Sequence, residues 1–131
     1  MKTITTALAA LVLSAGAAFA SDPVEGMWRT EPGDSGGYLH VSVHGCGNAI
    51  CGVISKAINA QGEVNATYEH LDKRMIWDMR AEGGGRYGGG KIWAPDRGKT
   101  YKSKMSLDGD RLTVEGCVAF VCRAQTWTRV R

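Results

Sequence analysis

The sequence predicts an all-β fold, a single antiparallel up-and-down eight-stranded barrel that follows a cleaved signal peptide. Apolar and polar residues alternate with a period of two along most of the chain, which is typical of half-buried strands. Turn-forming residues separate these runs at short intervals. Consecutive strands joined by short turns favour a closed barrel, because closure leaves no sheet edge exposed.

The first twenty residues have the composition of a secretory signal peptide. Lys2 precedes an apolar run, and the run ends in Ala18-Phe19-Ala20, a small-x-small cleavage site. The apolar run is too short for a comfortable transmembrane span. We therefore expect a signal peptide at residues 1–20, one barrel domain at residues 21–131, and a periplasmic or secreted location.

Charge gives little indication of a partner. Removal of Lys2 lowers the formal net charge from +3 to +2, too little to indicate nucleic-acid binding. Arg97, Lys99, Lys102 and Lys104 form a modest basic patch. We expect this patch to be a solvated outer face, with an anionic head group as the alternative partner.

The strands follow from the alternation and from the turns between them. In GYLHVSVHG, Leu39, Val41 and Val43 share one face, and Asp108-Gly109 is a strong hairpin signal between two later runs. Between the third and fourth strands a long connection, residues 57–73, is expected to contain a helical turn near residues 68–72. The predicted strands span residues 26–30, 37–45, 51–57, 74–80, 86–93, 99–107, 110–117 and 123–130.

The inward faces of these strands supply candidates for a ligand-binding interior. In KRMIWDMRA, strict alternation places Met75, Trp77 and Met79 on one face, opposite Ile76. Aromatic and methionine side chains suit an adaptable pocket, although the same side chains could fill a solid core. The candidate lining residues are Leu39, Val41, Met75, Trp77, Met79, Tyr101 and Met105.

The glycine-rich segment GGGRYGGG contains a formal G-x-G-x-x-G pattern at Gly83, Gly85 and Gly88. A dinucleotide site needs a helix after this pattern, whereas here the strand-like KIWAPD follows. We therefore expect the glycines to form a turn and to let a strand bend at a barrel corner.

Four cysteines occur as two C-x4-C pairs, Cys46/Cys51 and Cys117/Cys122, and allow three pairings. Gly47-Asn48 between the first pair is good turn chemistry, so that pair is expected to face across a hairpin. Successive turns of a meander alternate between the two barrel ends, so the second and seventh turns lie at opposite ends. This excludes cross-pairing and a shared zinc site, and a redox pair would favour C-x-x-C. We expect two local disulfides and no metal.

The loop enclosed by the second cysteine pair is apolar. Val118, Phe120 and Val121 surround Ala119, and none of the four residues favours a turn. The loop is expected to fold back and plug the barrel end; the alternatives are a lid, a partner contact or a membrane-touching tip. If the barrel has a mouth, we expect it at this end.

The histidines do not suggest a catalytic or metal site. His40 and His44 share a strand face, but four residues of strand separate them by about 13 Å. His70 lies beside Glu69 and Asp72 with no nucleophile that can be placed next to it, so we interpret this group as a surface cluster. No catalytic residue, no enzyme activity and no cofactor are predicted.

Several segments resemble known families. Gly26-Met27-Trp28 and Trp127-Thr128-Arg129 resemble the first and last strands of lipocalin and avidin-like barrels. The segments GMWRT, CGNAICGVI, GGKIWAPDRGKTYKSKMSL and QTWTRV are similar to the bacterial domain-of-unknown-function family 2147. The resemblance implies a secreted or periplasmic lipocalin-like β-barrel in which Trp28 and Arg129 close one end, and it implies no reaction.

Two functions remain open at this point. The first is binding of a small, largely apolar ligand inside the barrel. The alternative is an envelope protein–protein interaction or inhibitor module, with a filled core and with the loop 118–121 and the basic strand exposed. The sequence does not indicate the oligomeric state.

Overall fold

The computed structural model describes Thr3 and residues 21–131. Its eight strands form one closed antiparallel barrel. The strands pair in chain order, β1 with β2 through to β8, and β8 returns to β1. This confirms the predicted all-β barrel. The predicted signal peptide, apart from Thr3, lies outside the described residues. The strands are β1 (Gly26–Arg29), β2 (Tyr38–Cys46), β3 (Ala49–Ile58), β4 (Arg74–Gly83), β5 (Arg86–Ala94), β6 (Lys99–Asp108), β7 (Arg111–Val118) and β8 (Val121–Arg129).

The up-and-down order divides the connections between two barrel ends. The end that we call the closed end carries short turns at residues 47–48, 84–85 and 109–110, together with the N-terminal segment 21–25. The other end, which we call the mouth, carries the loops 30–37 and 59–73 and the turns 95–98 and 119–120. The longer connections therefore all lie at the mouth.

Large apolar side chains fill the interior toward the closed end. Trp28, Trp127 and Leu112 are fully buried, as are Ile54 and Val41. Packing is close in this region: a Cβ atom added at Gly52 would lie 2.6 Å from Cγ1 of Ile76 and 2.9 Å from Cγ1 of Val41. This half of the barrel is a solid core, with the interior density expected of a folded protein.

Arg129 joins the last strand to the segment that precedes the first. Its guanidinium donates hydrogen bonds to the backbone oxygens of Glu25 (3.0 Å) and Pro23 (2.8 Å) and lies 4.4 Å from the ring centroid of Trp28. The Trp28 indole N–H donates to the Val24 oxygen at 2.8 Å, so the fully buried Val24 is fixed beneath it. Trp28 and Arg129 thus pack together where the first strand meets the last, which is the contact that the family resemblance implies.

The arrangement around Arg129 explains why a glycine stands at position 26, the first residue of the Gly26-Met27-Trp28 segment. Its φ of 139° is strained for any residue with a side chain, and a Cβ atom there would lie 2.9 Å from Nη1 of Arg129. Glycine at this position therefore leaves room for the guanidinium.

Both predicted disulfides form, Cys46–Cys51 and Cys117–Cys122, and they lie at opposite ends of the barrel. The second links residues that are directly opposite in β7 and β8. The first differs from the predicted geometry, because the turn contains only Gly47 and Asn48. Cys51 pairs in register with His44, so this disulfide runs diagonally across the hairpin.

The alternation predicted for β4 is wrong after Met75. Ile76 is fully buried in the core, whereas Trp77 lies outside the core cluster with the Arg74 guanidinium 4.4 Å from its ring centroid. Asp78 has a φ of 56°, a conformation that interrupts the pleat and brings Met79 back to the interior. A local bulge therefore shifts the phase of the strand.

Two other expectations concern connections. The glycine-rich segment forms the tight β4–β5 turn and continues into a β5 strand with an irregular register, as predicted. The helical turn predicted near residues 68–72 is wrong. That segment consists of hydrogen-bonded turns, with Leu71 N–H donating to Tyr68 O at 3.3 Å and Asp72 N–H donating to Ile54 O at 2.8 Å.

Replacement of Arg129 tests the closure. Arg129→Ala removes two charge-assisted hydrogen bonds, a cation–π contact and an ion pair with Asp110 at 3.2 Å, so the free energy of unfolding should fall by about 3 kcal/mol. Urea denaturation followed by tryptophan fluorescence measures the change. Arg131→Ala is the matched control, because Arg131 is exposed and reaches only Asp110 among the described residues. Equal, small effects of both substitutions would contradict the closure role.

Candidate functional site

A cavity of about 840 Å³ opens at the mouth of the barrel. It lies among three of the four mouth connections, the loop 30–37, the long connection 59–73 and the turn 95–98, and Arg123 and Gln125 of β8 complete its lining. Its walls reach down to the start of β2 and β4 and the end of β3. We call this cavity the cup.

The floor of the cup is apolar. Leu39 from β2, Ala57 and Ile58 from β3 and Met75 from β4 line it, and all except Leu39 are almost completely buried. Gln125 of β8 also lines the cup, and its Oε1 accepts a hydrogen bond from the Trp127 indole at 2.7 Å. The cup therefore ends where the solid core begins.

The rim carries more negative than positive charge. Glu31, Asp34, Glu69 and Asp96 line the cup, whereas Arg123 is the single lysine or arginine among its described lining residues. The four carboxylates come from three of the four mouth connections, and Arg123 lies on β8 beside the fourth.

Aromatic side chains from the connection 59–73 form one wall of the rim. The His70 ring packs edge-on between Tyr68 and Trp93, with ring centroids 5.3 Å and 4.9 Å away. Lys73 Nζ lies 2.9 Å from Nδ1 of His70, and Glu69 Oε1 lies 3.2 Å from its Nε2. Because an ammonium group can only donate, this arrangement fits the tautomer with the proton on Nε2.

The pKa of the Tyr68 phenol is shifted by its surroundings at the rim. Burial raises the pKa of its phenol, and the nearby carboxylates of Glu69 and Asp96 raise it further. Both causes disfavour an additional negative charge at this wall of the cup.

Glu31 completes the barrel wall where β1 ends. Strand β1 pairs with β8 at only two positions, Trp28 with Arg129 and Arg29 with Thr128. Beyond them the Glu31 carboxylate accepts a hydrogen bond from the Thr126 backbone N–H at 2.7 Å. A side chain thus replaces the missing backbone partner at the mouth.

The structure brings only two of the seven predicted lining residues into the cup, Leu39 and Met75. Val41, Met79 and Met105 are buried in the core cluster, and Tyr101 is half-buried against it. Trp77 lies outside that cluster for the reason given above.

The predicted apolar loop does not plug the barrel. Phe120 is fully exposed at 102%, and Val118 and Val121 are 62% and 70% exposed. Ala119 and Phe120 form a tight turn, because Val118 pairs with Val121 and Ala119 has a φ of 52°. The expectation that the loop folds back is therefore wrong, and the mouth at this end is open.

Sequence patterns did not identify the rim. Tyr68, His70 and Asp96 come from connections without periodicity, and only their position on one end of a meander relates them. The parity of turns does contain that signal, because connections 1, 3, 5 and 7 must meet at one end of an up-and-down barrel.

A smaller cavity, of about 310 Å³, lies at the closed end beside Asp22, Glu25 and Met79. Burial strongly raises the pKa of the Tyr87 phenol, and the hydrogen bond that its hydroxyl donates to Asp22 raises it further. Among the described residues, no group of three or more His, Cys, Asp or Glu side chains could hold a metal ion. In the same part of the chain, no helix is both long and apolar enough to span a membrane.

Comparison with known proteins decides the family. The model of DUF2147, described as an uncharacterized protein conserved in bacteria, matches residues 26–129. The chain belongs to this family. The DUF2147 barrel is similar to protein HP1028 of Helicobacter pylori, a solved structure described as belonging to the lipocalin family, with a TM-score of 0.64. Identity is 16%, with 82% of each chain covered, so this likeness concerns the fold. No curated protein matches the sequence significantly.

The Glu31 contact makes a prediction for the mouth of this DUF2147 barrel. Glu31→Ala leaves the Thr126 amide without its acceptor, and its hydrogen exchange should accelerate by about tenfold. Glu31→Gln retains an acceptor oxygen and is the matched control. NMR-detected exchange measures both variants, and unchanged protection of Thr126 in Glu31→Ala would show that the contact does not hold the seam.

Proposed function

We propose that this protein binds a small amphipathic molecule in the cup at the mouth of its barrel. The observation that supports this is the combination of a sizeable cavity, an apolar floor and a rim that is mainly acidic. The lipocalin-like fold is compatible with such a role, because eight strands enclose enough space for one small ligand. We further propose binding without catalysis, in the periplasm or outside the cell, where the predicted signal peptide would direct the protein.

The size of the cup suits a small molecule. Ligand pockets in proteins commonly enclose about 300–1,000 Å³, and the cup encloses about 840 Å³. The solid core beneath it prevents deeper entry, since Val41, Met79 and Leu112 already occupy the interior. The ligand should therefore occupy the upper part of the barrel.

The floor and the rim of the cup favour different chemical groups on a ligand. Leu39, Ala57, Ile58 and Met75 offer the apolar half of a ligand a place away from water. The polar half would lie among the rim carboxylates, where a cationic or neutral group is favoured over an anionic one. An amphipathic ligand satisfies both surfaces better than the wholly apolar ligand expected from the inward strand faces.

Two carboxylates are available to a ligand. Glu31 already accepts a hydrogen bond from Thr126, and Glu69 lies against His70. Asp34 and Asp96 make none of the ion pairs found within 4.0 Å among residues 21–131. These two residues are the proposed contacts for a cationic head group.

A pair of probes with the same chain and opposite head groups tests the proposal. Octyltrimethylammonium should bind saturably, and octyl sulfate should bind about tenfold more weakly or not at all. Isothermal titration calorimetry below the concentration of micelle formation measures both. Asp34→Asn/Asp96→Asn should reduce the preference for the cation while the barrel remains folded.

A substitution that fills the cup provides the second test. Ala57→Phe places a ring in the floor and should abolish binding, whereas Ala124→Phe adds the same ring to an exposed position of β8. Undiminished binding by a folded Ala57→Phe variant would refute the cup as the site. Tighter binding of octyl sulfate than of octyltrimethylammonium would refute the proposed head-group chemistry.

A further inference from the structure

The turn between β7 and β8 presents an apolar surface that the cup does not use. We call residues Val118–Val121 the hairpin tip. Val118, Phe120 and Val121 are each more than half exposed, and the barrel buries no part of the Phe120 side chain. Such a cluster of large apolar side chains is unusual on the surface of a soluble domain and indicates a contact with another surface.

The hairpin tip is held in place. The Cys117–Cys122 disulfide joins the two strands immediately below it, at a directly opposed pair of residues. Ala119 adopts a φ of 52°, which glycine or asparagine would adopt with less strain. The sequence thus retains an apolar tip at a position where a polar turn residue would fold more easily.

Basic side chains lie on the outer wall directly beside the disulfide. Lys102 is the cross-strand partner of Cys117, and Lys91 is the partner of Lys102, so these residues share the outward face of β5, β6 and β7. Arg97 and Lys99 lie in the neighbouring mouth connection and at the start of β6. None of these four cations joins an ion pair within 4.0 Å among residues 21–131.

The vertical order of these groups fits a membrane surface. Phe120 lies three residues beyond Cys117 along the hairpin, so the backbone of Lys102, which is opposite Cys117, lies about 10 Å below the tip along the strand direction. An interfacial apolar segment enters the boundary between head groups and acyl chains by about 5–10 Å. The cations would then lie at the level of the phosphates.

We propose that the hairpin tip inserts into membrane surfaces that contain anionic lipids, with Lys91, Lys99, Lys102 and Arg97 as the contacts for the lipid phosphates. The acidic side chains of the mouth, Glu31, Asp34, Glu69 and Asp96, line the cup, whereas Lys91 and Lys102 lie on the outer face of β5 and β6. The lipid phosphates are therefore expected at the outer wall and not over the opening of the cup. The inference does not depend on binding in the cup, although docking would direct the mouth toward the lipid.

Flotation with lipid vesicles tests the proposal. The mature protein should float with vesicles of phosphatidylcholine and phosphatidylglycerol in equal parts, and should dissociate at high salt. Vesicles of phosphatidylcholine alone should bind it at least about tenfold more weakly, since each cation near an anionic surface adds to the affinity. No binding, or equal binding to both vesicles, would overturn the proposal.

Substitutions separate the contribution of the apolar hairpin tip from that of the basic side chains. Phe120→Asp should reduce the partition coefficient by at least about tenfold, and Phe120→Ser should reduce it without adding a charge. Val64→Asp is the matched control, because Val64 is 58% exposed in the β3–β4 connection, across the mouth from the tip. Lys91→Glu/Lys102→Glu should remove most of the dependence on phosphatidylglycerol.

Three results would contradict this account. The first is a folded Phe120→Ser protein that binds vesicles like the unmodified chain. The second is an equal loss in Val64→Asp, which would reflect net charge and not the tip. The third is sedimentation of the lipid-free protein as a dimer that Phe120→Ser converts to a monomer, because a second copy of the chain would then cover the tip.

Discussion

Arg129 closes the barrel at the seam where the backbone alone does least. Strand β1 has four residues and pairs with β8 at two positions, so few backbone hydrogen bonds join the first strand to the last. The guanidinium adds two hydrogen bonds to the segment before β1 and covers Trp28. Because these contacts hold the closed end together, the core packs against it, and the longer connections at the other end surround an opening.

The division between a solid half and an open half determines what the barrel can do. Trp28, Trp127 and Leu112 fill the closed half, so a ligand has no path through the barrel. The open half combines a floor from β2, β3 and β4 with charged groups from the connections. The hairpin tip and its disulfide also lie at the mouth. The cup and the hairpin tip, the two proposed binding surfaces, are therefore at the same end of the barrel, and the closed end contributes to stability.

The fold was predictable from sequence because its signals are local. Alternation along KTYKSKMSL correctly places Met105 inside, and turn parity with local spacing gives both disulfides. Prediction failed where geometry departs from the regular pleat: Ile76 is buried next to Met75 at a register shift between β3 and β4, and the positive φ of Asp78 returns Met79 to the interior. It also failed for the rim, because Tyr68 and His70 of one connection meet Asp96 of another only through the tertiary fold. Whether inward residues fill a core or line a cavity depends on packing, which periodicity does not encode.

The most direct test of the central claim, an amphipathic ligand above a solid core, is a methyl-detected NMR titration of residues 21–131 with octyltrimethylammonium. Saturable shifts should occur at Leu39, Ala57, Ile58 and Met75, which line the cup. The methyl groups of Leu112, Val43 and Met105, buried in the core cluster, should remain unchanged. Shifts concentrated in those core methyl groups would show that the ligand enters the barrel below the cup and would contradict the account.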